Sequence, residues 1–335
     1  MAMNRVIRVD ERSQVAEARR EAVRLAQAVA LDAQSVDRLA LVVTEAATNL
    51  VKHAREGHIL LALIATDAAF GVEVIALDRG PGMANISASM RDGHSTTGSP
   101  GVGLGSITRL ASGLDIYSQP QRGTVLRFEV WQHAPKRTSA LVVGGVCTAK
   151  SGEPVSGDSW TAPGDATTGR LLVVDGLGHG PQALAAATAA VRIDAEKRTL
   201  APEALLSAMH GALRSTRGAA ASVAQVSSTE AAGIYAGVGN IRAVVHEHDR
   251  VRGLVSHNGT LGQQVRKLQA FDFAFPAGAV LVMHSDGIAS HWNLDAYPGL
   301  MRHHPAVIAA VIHRDHARGH DDATVAVMCH GVPTR

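Results

Sequence analysis

Four aspartate-containing motifs in the second half of the chain lie at the ends of apolar strands or in tight glycine turns. They are Ser156-Gly157-Asp158, Asp175-Gly-Leu-Gly-His-Gly180, Ser285-Asp286-Gly287 and Gly319-His-Asp-Asp322. Each one alone could be a simple Asp-Gly turn, because both residue types favour tight turns. Gathered in one site, the carboxylates would repel each other by about 3 kcal/mol per pair at ~5 Å and an effective dielectric of 20. A fold that joins these strand ends therefore needs cations there.

The donor atoms of these turns indicate which cations they would bind. Carboxylate oxygens without thiolates suit Mg²⁺ or Mn²⁺ rather than zinc. Two divalent ions would balance four carboxylate charges, and such a pair lowers the pKa of bound water and promotes attack on a phosphate ester. The motifs therefore predict a two-metal phosphate hydrolase.

The order of the four motifs closely resembles the PPM-type serine/threonine phosphatases, specifically their SpoIIE and RsbX branch. The resemblance covers about residues 141–330 and implies two bound Mn²⁺ or Mg²⁺ ions. Its metal ligands, carried over by position, are Asp175 bridging both metals, Asp158 and the Gly176 carbonyl on one metal, directly or through water, and Asp286 and Asp321 on the other.

The sequence leaves the roles of three further side chains near these motifs open. Asp322 follows the ligand Asp321 and is a candidate to support the ligands. Lys150 could contact substrate phosphate or could be a solvated lysine. His179 could protonate the leaving serine oxygen, but a histidine at a helix start is as easily structural.

The first half contains a different set of motifs. Glu45 and Asn49 lie four residues apart on a helix predicted over 34–54, so they share one face, which could also be a solvated surface. A strand then ends in Asp78-Arg-Gly-Pro-Gly82, and Gly101-Val-Gly-Leu-Gly105 leads into a further helix. Glycines let backbone N–H groups approach phosphates, and a helix N-terminus favours a bound anion.

This order resembles the GHKL (Bergerat) family of ATP-binding domains, most closely its small anti-sigma and RsbT-like serine kinases, over about residues 11–131. The resemblance implies that Asn49 holds Mg²⁺ against the ATP phosphates and that Asp78 hydrogen-bonds the adenine amino group. Glu45 would be the general base that accepts the proton of a substrate serine or threonine hydroxyl. The glycines that would shape the pocket are Gly80, Gly82, Gly101, Gly103 and Gly105.

A length of 335 residues favours two domains, and the polar segment 133–139 is the predicted boundary. We therefore expect an α/β protein. Its first domain, 1–135, would be a GHKL α/β sandwich that opens with helices over 13–31 and 34–54. Its second, 139–332, would be a PPM-type α/β-β/α sandwich of two antiparallel sheets, with Ala-rich helices near 181–197 and 202–214.

Composition narrows the environment and the partners. The net charge is +2 and the chain has no long basic block, which disfavours nucleic acid or an anionic membrane as partner. No apolar run approaches the roughly 20 residues that span a bilayer, and the polar N-terminus does not resemble a signal peptide. Cys147 and Cys329 lie in apolar runs, which predicts buried thiols in a reducing, cytoplasmic compartment.

The two resemblances together suggest a bifunctional enzyme of bacterial partner switching. Its kinase head would phosphorylate a small STAS-type regulatory protein, and its phosphatase head would remove phosphate from such a protein. Alternatively, the first domain could be an ATP-gated binding module that sequesters a sigma factor or another switch protein, with only the phosphatase catalytic. A scaffold with two inactive heads is disfavoured by the intact metal carboxylates.

Overall fold

A computed structural model describes residues 3–66, 69–86, 103–135, 139–247 and 250–331. The described residues divide into two compact units, the first made of residues 4–135 and the second of residues 139–331 together with Met3. No helix among the described residues is long and apolar enough to cross a membrane.

The first unit is one antiparallel sheet covered by helices, with the strand order β1-β2-β3-β5-β4. Its elements are β1 (Arg5–Arg8), α1 (Arg12–Ala28), α2 (Ala33–His53), β2 (His58–Ala65), β3 (Phe70–Leu77), α3 (Gly103–Leu110), β4 (Gly113–Ser118) and β5 (Thr124–Trp131).

The amphipathic face of α2 anchors this unit. Asp32 caps the helix, because its side chain accepts a hydrogen bond from the Ser35 backbone N–H. Leu39 and Val43 point into a core shared with Val74 of β3, and all three are fully buried. The two helices that the sequence predicts at the start of the chain are confirmed.

The second unit contains two five-stranded antiparallel sheets, ordered β15-β10-β9-β8-β7 and β12-β11-β16-β17-β6. Its helices are α4 (Pro181–Glu196), α5 (Pro202–Ala212) and α6 (Pro305–His316). Its strands are β6 (Leu141–Thr148), β7 (Asp158–Thr161), β8 (Thr168–Gly176), β9 (Ala219–Ser227), β10 (Ala232–Val238), β11 (Arg242–Glu247), β12 (Arg250–Leu254), β13 (Gly259–Thr260), β14 (Gln264–Val265), β15 (Ala270–Ala274), β16 (Val280–His284) and β17 (Ala323–His330).

The two sheets stack face to face, and helices cover the outer sides. Val173 of the first sheet and Leu281 of the second belong to one buried cluster. Helices α4 and α5 pack on the first sheet, and α6 packs on β6 and β17 of the second. This α/β-β/α sandwich is the predicted architecture.

Two elements of the sandwich had no signal in the sequence. Helix α6 is buried on all sides from Ala306 to Ile312, so it lacks the amphipathic period by which helices are recognised. Strand β9 begins with three alanines, Ala219 to Ala221, and alanine is depleted in strands. Burial rather than local propensity determines both elements.

Candidate metal centre and nucleotide pocket

The pairing of β7 with β8 brings the first two acidic motifs together. Asp158 and Asp175 are directly opposed across the two antiparallel strands. The Ser285 hydroxyl donates a 2.6 Å hydrogen bond to the buried Asp158 carboxylate, and the Thr324 backbone N–H donates to the Ser285 hydroxyl over 3.0 Å. The third motif and the start of β17 are thereby joined to the first.

Asp322 connects the fourth acidic motif to the first through hydrogen bonds. Its carboxylate accepts 2.8 Å hydrogen bonds from the backbone N–H groups of Lys150 and Gly157. Its backbone N–H donates to the Asp321 carboxylate over 2.9 Å. A Cβ on Gly287 would lie 1.9 Å from the Asp322 carbonyl oxygen, so only glycine fits there. Asp322 thus supports the turn that presents Asp321.

The gathered carboxylates raise one another's pKa. Burial and the nearby charges of Asp286 and Asp321 raise the pKa of Asp175 to about 7. Burial and the charge of Asp175 raise the pKa of Asp158 well above its usual range. Such mutual repulsion is the condition that bound cations relieve.

The donor set fits hydrated divalent ions. Among the residues that the structure describes, no three acidic, histidine or cysteine side chains lie close enough to hold one metal ion by themselves. Mg²⁺ usually binds through one or two carboxylates and keeps several waters, so carboxylates spread over a wider site suit it. Cys147 lies 3.6 Å from the Asp158 carbonyl, but burial raises the pKa of its thiol to about 12, which leaves the donors all oxygen.

Asn240 is a site residue that sequence reasoning missed. It lies between β10 and β11, and its side-chain amide donates a 2.8 Å hydrogen bond to the Asp286 carboxylate. It also hydrogen-bonds Asp175, which opposes the rise in the pKa of that carboxyl. A single asparagine after a glycine looks like an ordinary turn, so the pattern offered no signal.

We expect Asn240→Ala to weaken metal binding without unfolding the domain. Residues that orient metal ligands typically contribute about 10- to 100-fold in affinity or activity, and both carboxylates would lose their amide donor. Mn²⁺ titration of the hydrolysis of p-nitrophenyl phosphate measures the apparent affinity. Gln182→Ala, which removes an exposed amide on α4, is the matched control. Equal Mn²⁺ dependence in the two variants would contradict the assignment.

The remaining candidate residues of the metal centre are His179, Gly176 and Lys150. His179 is 48% exposed, and its Nδ1 pairs with a Glu153 carboxylate oxygen at 2.7 Å. A Cβ on Gly176 would lie 2.2 Å from the Ala183 carbonyl oxygen, so α4 packs directly on this turn. For Lys150 the structure assigns the backbone contact to Asp322. The roles of His179 and Lys150 in catalysis stay predictions.

In the first unit, the polar face of α2 adjoins the Asp78 turn. Glu45 and Asn49 are both half-buried on α2. The backbone N–H of Arg79 donates to the Arg55 carbonyl over 2.9 Å, just beyond the end of this helix. A Cβ on Gly80 would lie 3.1 Å from a carbonyl oxygen of the last helical residue. The turn is therefore held against the end of the helix that carries Glu45 and Asn49.

Asp78 is buried and held by its own turn. Its carboxylate accepts a 2.6 Å hydrogen bond from the Gly80 backbone N–H, and its backbone N–H donates to the Thr124 carbonyl over 3.0 Å. Gly123 has φ +81°, and a Cβ there would lie 2.0 Å from the Asp78 carbonyl oxygen. Sequence reasoning missed Gly123 and Thr124, although a Gly-Thr pair before the last strand was visible.

The structure describes four of the five glycines that are predicted to shape the nucleotide pocket. Gly82 has φ +68°, and a Cβ there would lie 2.2 Å from the Gln119 carbonyl oxygen. Gly103 begins α3 and Gly105 lies in its first turn. Gly101 lies outside the described residues.

Comparison with known proteins agrees with the two units. Residues 8–130 match the family described as the histidine kinase-like ATPase domain. The serine/threonine-protein kinase RsbT of Bacillus subtilis is 33% identical over 94 residues, which are 28% of this chain and 71% of RsbT. The phosphoserine phosphatase RsbX of Bacillus subtilis is 24% identical over 140 residues, 42% of this chain and 70% of RsbX.

Solved structures support the fold. A structure from work on the bacterial stressosome is 28% identical, covers 56% of this chain and 98% of its own, and has a TM-score of 0.53. The crystal structure of RsbX in complex with magnesium is 19% identical, covers 58% of this chain and 98% of its own, and has a TM-score of 0.50, which is a likeness of fold. The chain thus belongs to the family of RsbT-type kinases, with a GHKL kinase-like domain that is fused to a PPM-type phosphatase domain.

Proposed function

We propose that this chain is a bifunctional protein phosphoregulator. One head would transfer phosphate from ATP to a serine or threonine of a regulatory protein, and the other would hydrolyse phosphoserine or phosphothreonine on such a protein. The observation that carries the proposal is the meeting of Asp158 and Asp175 across β7 and β8, with Asp286 and Asp321 close enough to raise the pKa of Asp175.

In the phosphatase head, oxygen donors from four turns would hold two Mn²⁺ or Mg²⁺ ions. When bound, such ions supply a water molecule of lowered pKa and neutralise charge on the phosphate. Asp175 would serve both ions, Asp158 and the Gly176 carbonyl one of them, and Asp286 and Asp321 the other, in part through the water molecules that such ions keep. Asn240 and Asp322 orient these ligands through the hydrogen bonds described above. The RsbX structure, which was solved in complex with magnesium, supports a divalent ion in a fold of this kind.

In the kinase head, α2 would supply both the metal ligand and the base. Asn49 would bind Mg²⁺ against the ATP phosphates, and Asp78 would bind the adenine amino group. Glu45, one turn before Asn49, would accept the proton of the substrate hydroxyl as the hydroxyl oxygen attacks the γ-phosphorus of ATP and ADP leaves. The presence of this carboxylate favours phosphoryl transfer over an ATP-gated binding module, the second candidate function.

For the protein substrate we propose a STAS-type regulator of a partner switch. The similarity to both RsbT and RsbX supports this class, because a kinase-like and a phosphatase-like relative resemble the two halves of one chain. A sigma factor or another switch protein is the partner that the binding-module alternative requires. We place the protein in the cytoplasm, because free cysteines such as the buried Cys147 and Cys329 are typical of a reducing compartment.

The two heads should act in opposite directions on the same or closely related substrates. With ATP, Mg²⁺ and Mn²⁺ present, Glu45→Ala should leave the substrate unphosphorylated, and Asp286→Ala should let phosphate accumulate on it. A short linker gives an effective concentration in the millimolar range, so each head would meet the product of the other.

Mass spectrometry of candidate STAS proteins incubated with each purified variant measures the outcome. Each variant retains one intact head, so each is the control for the other. If only one substitution changes the phosphate level of a given protein, the heads serve different partners. If neither variant transfers or removes phosphate, the bifunctional proposal is wrong.

A further inference from the structure

A groove of about 1180 Å³ lies in the second unit beside the turn that follows Asp175. One side is formed by Leu177 and Gly178 of that turn. The other side is formed by the β13–β14 hairpin and the residues next to it. Its volume is above the range of about 300–1,000 Å³ that is typical of small-molecule pockets, and its open shape would admit an extended segment of a protein.

The groove is positively charged. Its lining includes Arg217, Arg266 and Lys267, all exposed, and it includes no acidic residue among those that the structure describes. Among the described residues, none of these three cations forms an ion pair. Cations grouped around one groove without counter-charges attract an anionic ligand, because each of them gains a partner on binding.

The hydrogen-bond network connects the groove to the metal centre. Strand β8 pairs Asp175 with Ala220 of β9, and two residues further on the Leu177 backbone N–H donates to the Gly218 carbonyl over 3.0 Å. An Arg217 guanidinium nitrogen lies 3.0 Å from the position that a Cβ on Gly178 would occupy. Arg217 is therefore a direct neighbour of the turn whose first residue is the bridging ligand Asp175.

The position of Arg217 is set by tight packing on its other side. Gly218 has φ +87°, and a Cβ there would lie 2.5 Å from the Leu261 carbonyl oxygen in the hairpin. The Gln263 side chain donates to the Arg217 carbonyl over 3.4 Å. Because these contacts tie the β9 start to the hairpin, the three cations belong to one surface.

We propose that this groove binds an acidic segment of the phosphoprotein substrate, next to the phosphorylated residue that enters the metal centre. The inference rests on the proposed phosphatase function and names a feature of its substrate. Arg217, Arg266 and Lys267 pair with Asp or Glu side chains that flank the phosphorylated serine or threonine. Selectivity among phosphoproteins then depends on the charge of the flanking sequence.

The rest of the lining favours a peptide over a nucleic acid. Single-stranded nucleic acids bind by stacking bases on aromatic side chains, and among the described lining residues only His257 carries an aromatic ring. Side-chain amides such as Asn258 and Gln264 can hydrogen-bond an extended backbone. Leu177, which is 54% exposed, offers an apolar contact at the end nearest Asp175.

Peptide binding by the full chain with Mn²⁺ tests the proposal. Two fluorescent peptides of equal length carry a phosphonate that cannot be hydrolysed in place of phosphoserine, flanked by Asp and Glu in one and by Asn and Gln in the other. We expect tighter binding of the acidic peptide by about five- to tenfold, as two or three exposed ion pairs provide. The preference should shrink as salt is added.

Arg266→Gln combined with Lys267→Gln should abolish the preference for the acidic peptide. The matched control is Arg250→Gln with Arg252→Gln, which removes two exposed charges on β12, outside the groove, and should retain the preference. Arg217→Gln is a second groove variant, and thermal melts establish that each variant is folded. Hydrolysis of p-nitrophenyl phosphate should be equal in the double groove variant and the wild type, because this substrate has no flanking segment.

Three results would overturn the inference. The first is equal affinity of the wild type for both peptides. The second is a preference for the acidic peptide that survives in both groove variants. The third is a single-stranded oligonucleotide of the same charge that binds as tightly as the acidic peptide. Failure of the proposed function has a different signature, namely no Mn²⁺-dependent hydrolysis of p-nitrophenyl phosphate by the wild type, whatever the peptides show.

Discussion

Replacing Asp175 with Asn should reduce Mn²⁺-dependent hydrolysis of a phosphoserine protein by at least about 100-fold, the upper range for residues that only orient a metal ligand. Asp175 lies opposite Asp158 and near Asp286 and Asp321. Asparagine keeps the size of the side chain but removes the charge on which a bridge between two cations depends. The loss of phosphatase activity should therefore come from lost metal binding and not from lost structure.

Thermal unfolding separates these two causes. Without metal, the carboxyl of Asp175 is charged at a cost, because burial and neighbouring carboxylates raise its pKa to about 7. The metal-free Asp175→Asn variant should thus unfold at the same or a higher temperature than the metal-free wild type. Mn²⁺ should raise the unfolding temperature of the wild type and leave that of the variant nearly unchanged.

Asp272→Asn is the matched control, since it makes the same chemical change at an exposed position of β15. This variant should keep wild-type turnover and the wild-type response to Mn²⁺. Full activity in Asp175→Asn would refute the two-metal assignment. Loss of activity together with a lower unfolding temperature in the absence of metal would show that Asp175 is structural.

The order of the motifs predicted the architecture and the acidic turns, because strand-end motifs and glycine turns are local features of the sequence. Asp158 was predictable from its Gly-Asp turn, and the strand pairing places it opposite Asp175. Asn240 was not predictable, since its contact with Asp286 joins residues 46 positions apart. Such a contact follows from the way β11 and β16 pair, which no local pattern reveals.

Arg127 shows the same limit in the first unit. Its guanidinium donates a 2.7 Å hydrogen bond to the Glu73 carboxylate and also contacts Glu129, and all three side chains are buried. In the sequence they look like the solvated positions of alternating strands. Burial alone would lower the pKa of Arg127, but the two carboxylates raise it. Cross-strand pairing within the sheet, not composition, makes these charges a buried cluster.

The cations of the groove were invisible for a related reason. Arg217 comes before β9, whereas Arg266 and Lys267 follow β14, so they form no basic run in the chain. The net charge is +2 and the chain has no long basic block, but neither observation excludes a small cationic surface. Only the fold of the hairpin against the start of β9 brings these side chains around one groove.

Replacing Asn49 with Ala should weaken Mg²⁺-dependent ATP binding by roughly 100-fold, the upper range for removing one metal-directed group. Asn49 is half-buried on α2, and the Asp78 turn packs against the end of the same helix. The amide oxygen is suited to Mg²⁺, which prefers oxygen ligands, and alanine offers no donor. The helix itself should persist, because alanine is the best helix former.

Isothermal calorimetry with ATP and Mg²⁺ measures this loss, and Glu45→Ala separates binding from chemistry. The proposed role of Glu45 is to accept a proton and not to hold the nucleotide, so that variant should bind ATP like the wild type yet fail to phosphorylate a candidate STAS protein. Gln34→Ala removes an exposed amide in the first turn of α2 and should change neither property. If Asn49→Ala binds ATP with wild-type affinity, Asn49 is not part of the nucleotide site. If Glu45→Ala still transfers phosphate, the assigned ATP site is unaffected, but another group accepts the proton.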